Sequence, residues 1–213
     1  MTLDESSINK RTANVVLYYM AILSDKDLKE IIKEEAAVEV EEGPDIDFDL
    51  QLGPSSLDLR LGYEFGVLET RKVKALDTKK MDNYDEIKKS KRTTPEEGMV
   101  VHPGEFVLGS TLEKLNVPSD LVARIEGRSS YARLGLIPHA PAGFVDPGFE
   151  GNITLEIQNL GNVPITIYPE DRICQVVFET MTSESENPYG EKTDSKYMNQ
   201  EGATGSRLDR EKR

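Results

Sequence analysis

Ser56-Leu-Asp-Leu-Arg-Leu-Gly-Tyr-Glu-Phe65 alternates strictly between apolar and polar residues. Leu57, Leu59, Leu61, Tyr63 and Phe65 fall on one side; Asp58, Arg60 and Glu64 fall on the other. Side chains of a strand point to opposite faces in turn, so this is the signature of a half-buried strand. The same period recurs downstream. Short strands are expected at 99–102, 105–111, 121–126, 152–159, 163–168 and 172–181, punctuated at Pro103-Gly104 and Pro118. A series of short strands with regular turns predicts an all-β protein, a distorted barrel or jelly roll. One helix is expected ahead of it. Ser24 is a good N-cap, Asp25 and Asp27 suit the first turn, and Leu28, Ile31 and Ile32 share a face up to about Glu34. Residues 70–98 are charged and poor in large apolar groups, which predicts an exposed excursion with a ragged hairpin.

Composition limits the function. The chain has 213 residues, enough for one domain with a real core. With 26 basic and 39 acidic residues its net charge is −13, which argues against a nucleic-acid binder. One Cys (Cys174) and two His (His102, His139) leave no disulfide framework and no zinc site of the Cys-rich or deaminase kind. No apolar run reaches membrane-spanning length, so a soluble, cytoplasmic protein without a membrane partner is expected. Residues 1–19 read as a disordered N-terminal extension, 20–181 as the folded domain, and 182–213 as a tail. That tail is either disordered or ordered over a ligand by Tyr189, Lys196, Tyr197 and Gln200.

Two segments hold residues suited to chemistry. In Glu126-Gly-Arg-Ser-Ser-Tyr-Ala-Arg-Leu-Gly-Leu136 a strand ends, Gly127 permits a sharp turn, and Arg128, Ser129 and Ser130 open a short helix. Free N–H groups, two hydroxyls and an Arg there suit a phosphate, with Arg133 on the face of Ser129. A plain Ser-capped helix with solvated Arg is the other reading. In Asn152–Asn159, Ile153, Leu155 and Ile157 share one face, and Thr154, Glu156 and Gln158 the other. If that second face lines a pocket, Glu156 is a sheltered carboxylate suited to proton transfer; otherwise it is an ordinary exposed Glu. Asp146 is a turn residue or a ribose ligand. His102 and His139 are expected to be structural or surface residues. Cys174 is expected to be a small packed side chain.

These pieces, with Pro54–Gly62, Ala142-Gly-Phe-Val-Asp-Pro-Gly-Phe-Glu150, Arg172-Ile-Cys-Gln175, Pro188-Tyr-Gly190 and Ser195–Gln200, resemble in order and spacing the dCTP deaminase family of the dUTPase-like superfamily. The resemblance spans about residues 20–208. It implies a homotrimer with active sites between subunits, zinc-independent hydrolysis of dCTP, Mg²⁺ carried on the triphosphate, and dTTP as an effector. It implies Glu156 as the general base and acid, with Arg133 and Ser129 holding base and water. Arg128, Ser130, Gln175, Lys196 and Gln200 would meet the phosphates, Asp146 the deoxyribose, and Tyr189 the nucleotide. Tyr131, Ala132, Thr154 and Leu155 complete the implied substrate contacts. Ala142-Gly143-Phe144 resembles the bifunctional members that also release pyrophosphate and form dUMP. The alternatives are a monofunctional deaminase that releases dUTP, a dUTPase alone, and a nucleotide sensor without turnover. Pro141, Tyr131, Glu170-Asp171 and Cys174 depart from the family pattern, and Pro141 bears most on the second activity.

Overall fold

Helix α1 (Asp25–Glu34) begins where its sequence says it should, at a reciprocal cap. The Asp27 N–H donates to Ser24 Oγ, and the Asp27 carboxylate takes the Ser24 N–H and hydroxyl in return. A cap of this kind is worth about 1 kcal/mol. Leu28 and Ile32 are buried, and Ile31 packs beside them. Strand β1 (Val38–Val40) follows, then a one-turn helix α2 (Phe48–Gln51) capped by Asp47. The structure is a computed structural model and describes residues 21–69, 71, 73–79, 84–139 and 142–210. The expected extension at 1–19 and the departure at Pro141 lie outside the described residues.

The remaining strands are β2 (Leu57–Arg60), β3 (Glu64–Leu68), β4 (Lys88–Arg92), β5 (Met99–Val101), β6 (Phe106–Asn116) and β7 (Leu121–Gly127). After these come β8 (Leu136–Ile137), β9 (Phe144–Val145), β10 (Glu150–Asn159), β11 (Ile165–Ile167) and β12 (Arg172–Thr180). Two one-turn helices lie between them, α3 (Tyr84–Ile87) and α4 (Ser129–Ala132). One sheet runs β4-β3-β6-β10-β8, with β1 also paired to β6; a second runs β2-β12-β7-β9; β11 and β5 form a two-stranded ribbon. The pairings between these strands are antiparallel. One apolar core draws on all three sheets, from Phe65 and Ile157 to Phe178, Ala123 and Ile167. The mainly-β reading stands, but the expected barrel does not close. Its ladders end at open edges and the sheets meet through side chains.

Two local expectations change with it. The 56–65 alternation is one pattern but two strands, because the chain turns from one sheet to the other at Leu61-Gly62. A side chain at Gly62 would come within 2.8 Å of Ser110 Oγ and 3.2 Å of two backbone oxygens, so the corner needs glycine. Arg60, expected on the solvent side, is 6 % exposed. Glu113 on β6 is fully buried and takes Arg60 Nε and the Arg60 N–H at 2.7 Å each, and Gln51 Nε2 at 2.9 Å. A charge inside a protein persists only when it is paired and hydrogen-bonded in this way.

The excursion expected at 70–98 supplies β4, which pairs with the preceding β3 in unbroken register from Glu64↔Arg92 to Leu68↔Lys88. The tail is not loose. It folds back along its own chain, with Gln200 buried and bridged to Gly151, and Tyr189 packed on Phe149. Among the described residues no helix is long and apolar enough to cross a membrane.

Candidate active site

Strand β10 positions the acid. Its burial alternates as the sequence predicts: Ile153, Leu155 and Ile157 enter the core, and Thr154, Glu156 and Gln158 take the other face. Thr154 and Glu156 line a cavity of about 430 Å³, together with Phe106 and Leu108 of β6, Asp146, and the tail residues Tyr189 and Gln200. The volume falls in the range of ordinary ligand pockets. The Glu156 side chain is 28 % exposed and its Oε2 stands 2.9 Å from His139 Nδ1. The His139 side chain is 5 % exposed. The separation is that of an ion pair, but the angles miss hydrogen-bond geometry. Both ring nitrogens and Glu156 Oε2 therefore lack a hydrogen-bond partner among the described residues. Buried polar atoms without partners are uncommon, and a site that receives a polar ligand or water is one explanation.

The placement of His139 beside Glu156 is not signalled in the sequence. His139 was expected to be structural or superficial, because no second ligand-like residue stands at a telling spacing. The connection between β8 and β9 carries it to β10. Gly143 shows how tight that connection is. A Cβ there would lie 2.6 Å from the Ile125 carbonyl oxygen and 3.5 Å from His139 Cδ2. The Gly143 carbonyl accepts the Ile125 N–H at 2.8 Å, so glycine lets this loop lie directly on β7. Phe144, next to it, is exposed at the cavity rim.

The tail closes another wall. Tyr189 N–H donates to the Pro147 carbonyl at 2.7 Å, and its ring meets Phe149 at 5.8 Å. Tyr189 Oη accepts the Tyr197 N–H, and Tyr197 Oη accepts the Arg207 N–H, both at 3.1 Å. Gln200 Nε2 donates to the Asn152 carbonyl at 2.7 Å. Lys196 is half-buried and stays off the cavity wall. Leu155 points into the core, and Thr154 lines the cavity.

The other expected residues gather elsewhere. Arg128 precedes α4; Ser129, Ser130, Ala132 and Arg133 are exposed, and Tyr131 is half-buried. Arg128 Nη1 donates to the Arg172 carbonyl at 2.6 Å, and its Nε lies 3.2 Å from Asp58 Oδ2. Arg172 Nη1 meets the same oxygen at 3.2 Å. Gln175 stands opposite Asp58 in the β2–β12 ladder and accepts the Ser56 hydroxyl at 3.1 Å. Burial pushes the Asp58 carboxyl up, and Arg128 and Arg172 hold it back in part. Burial likewise pushes up the Tyr131 phenol, with Asp171 adding to it and Arg128 and Arg172 opposing. Cys174 is fully buried, and burial pushes its thiol well above the usual range, which makes it a packing residue. Within one chain, then, the carboxylate cavity and the arginine group are separate. None of Arg128–Arg133 nor Gln175 lines the cavity. Among the described residues no three His, Cys, Asp or Glu side chains are grouped to hold a metal ion.

Known proteins bear on this geometry. A crystal structure of 2'-deoxycytidine 5'-triphosphate deaminase from Agrobacterium tumefaciens matches with a TM-score of 0.60 at 24 % identity, which speaks for the fold. The match covers 76 % of this chain and 47 % of that one. A protein of Methanosphaera stadtmanae named dCTP deaminase, dUMP-forming, is 48 % identical over 89 % of this chain and 94 % of its own length. One of the same name from Methanobrevibacter smithii is 48 % identical over 89 % of this chain and 96 % of its own. The family model described as dCTP deaminase-like matches residues 22–181, and the chain belongs to that family.

Proposed function

We propose that this protein deaminates dCTP and carries the product on to dUMP. The observation that carries the reading is the Glu156 carboxylate, set on the wall of a cavity of about 430 Å³ and part-sheltered beside a buried imidazole. Water attacks C4 of cytosine; a C4–O bond forms, the C4–N bond breaks, and ammonia leaves. Glu156 takes one proton from the attacking water and gives it to the ring nitrogen; it then takes the proton of the new C4 hydroxyl and gives it to the amine, which leaves as the C4 carbonyl forms. His139, 2.9 Å away, limits where that carboxylate can point. Ser129 and Arg133 hold the base and water as charge develops. A second water then displaces pyrophosphate from the α-phosphorus of dUTP, beside Gly143 and Phe144. The relatives named dUMP-forming support this second step.

The phosphates need cations that this cavity does not have. None of the described residues that line it is Lys or Arg, and two, Asp146 and Glu156, are acidic. A triphosphate held there therefore requires positive charge from another copy of the chain. Arg128, Ser130 and Gln175 of one subunit would complete the cavity of the next, with Lys196 and Gln200 of the tail closing over the phosphates. Exposed Leu134, Ile137, Leu160 and Val163 are apolar surface that such a homotrimer would cover. Mg²⁺ fits as an ion held by the substrate phosphates and water, a mode that needs few protein ligands, and it would screen phosphate charge there. Asp146 would meet the deoxyribose and Tyr189 the nucleotide. A dTTP effector would compete for the same cavity.

The test is product analysis from labelled dCTP. Ammonia, dUMP and pyrophosphate in equal amounts are expected. Accumulation of dUTP without pyrophosphate would refute the second step. Tight binding of dCTP without any ammonia would refute the first.

A further inference from the structure

Asp58 is used by no step above, yet it sits at the centre of the arginine group. Its side chain is 16 % exposed, and its Oδ2 lies 3.2 Å from both Arg128 Nε and Arg172 Nη1. Arg172 is itself tied down, through Nη1 to the Leu50 carbonyl, and its own carbonyl takes Arg128 Nη1 at 2.6 Å. The Arg128 guanidinium is thus gripped at two nitrogens, by a carboxylate on β2 and a carbonyl on β12. Opposite Asp58, Gln175 is oriented by Ser56.

We propose that Asp58 is a positioning residue, which presets Arg128 for the substrate triphosphate. The inference rests on the reading of Arg128 as a phosphate ligand. A free arginine must give up rotamer freedom to bind, whereas one gripped beforehand has already lost it. Net charge pulls the other way. A carboxylate beside a phosphate site repels the ligand, so Coulomb forces alone make neutral residue 58 a tighter binder. Positioning makes it a weaker one, and the sign separates the two.

The experiment is equilibrium binding of dCTP and dCMP to the full chain carrying Asp58→Asn, Arg128→Ala, or both, with thermal melts to check folding. Asp58→Asn is expected to weaken dCTP about tenfold and to leave dCMP within about twofold, a change that a general structural defect would not confine to the longer phosphate chain. In the Arg128→Ala background Asp58→Asn should cost less than about twofold, because the pair acts as one unit. Unchanged or tighter dCTP binding by Asp58→Asn, or an equal loss in both backgrounds, overturns the inference. If Arg128→Ala weakens dCTP while Asp58→Asn does not, only the role of Asp58 falls. If Arg128→Ala leaves dCTP binding intact, the phosphate role of Arg128 falls and the inference with it. Should Asp58→Asn not fold, Asp58→Glu, which keeps the charge but displaces it, carries the same cycle.

Discussion

The cavity on β10 and the arginine group on β2, β12 and α4 differ in nearly every physical respect. The first is concave, largely apolar, acidic where it is charged, and walled by the tail. The second is open, hydroxyl-rich and cationic, with its serines in solvent. Each lacks what the other has. A carboxylate suited to moving protons sits where a triphosphate would be repelled, and the cations sit where no shelter exists for chemistry. The proposed composite site would join these two halves across a subunit boundary.

The strongest test of that contrast removes the proton carrier. Glu156→Gln keeps shape and hydrogen bonding but cannot take a proton, so ammonia release should fall at least about a thousandfold while dCTP binding persists. Turnover near that of the parent protein would remove the cavity from the chemistry. Arg128→Ala should instead raise the KM for dCTP about ten- to a hundredfold, with the deamination step less affected. Mixing the two variants under subunit exchange tests the division itself. Some mixed assemblies would hold one intact composite site, so at dCTP far below the KM of Arg128→Ala the mixture should turn over faster than the two variants summed. No recovery despite proven exchange would place both halves in one subunit.

A smaller effect is expected at Gly143, which lies directly against Ile125 of β7. Gly143→Ala drives a methyl group against the Ile125 carbonyl, which costs about 1–3 kcal/mol of overpacking. A fall of several degrees in melting temperature would register it. An unchanged melting temperature would show that the β8–β9 connection yields easily, and with it the placement of His139.

The smallest effect belongs to neither region and serves as their reference. Tyr63 Oη donates to Glu170 Oε1 at 2.7 Å. Burial, that hydrogen bond and the charge of Glu170 push the phenol up to about 12. A phenol raised in the folded state holds its proton more tightly than in the unfolded chain. Its contribution to stability is therefore complete below about pH 10 and is lost as pH rises through about 12. Tyr63→Phe should flatten that alkaline loss of stability and leave dCTP deamination at neutral pH unchanged. A stability curve identical to that of the parent between pH 9 and 12 would contradict the assignment.

Much of this was legible in the chain itself, and the exceptions share a cause. The cap at Ser24, the inward face of Leu28 and Ile32, and the two faces of Asn152–Asn159 are local matters of spacing and side-chain type. The sequence reading found them because backbone geometry repeats every few residues. The short helix after Gly127 was legible for the same reason. Arg60 was not, since its burial depends on Glu113, 53 residues away on another strand. His139 was not, because a lone histidine shows nothing until a loop lays it on Glu156. Whether the distorted barrel closes was not legible either, because alternation predicts that strands exist and which faces are apolar, but not whether the last ladder meets the first.

The order of polar and apolar residues, by itself, determined that this chain makes short strands behind one capped helix, with Glu156 on the face opposite the core. Only the tertiary structure decided that this face opens on a cavity, that His139 adjoins it, and that the arginines stand apart around Asp58. Periodicity is a property of neighbours along the backbone, whereas a site is a meeting of residues far apart in sequence. Such meetings depend on loop paths, buried charge pairs and close backbone approaches, which no local pattern encodes.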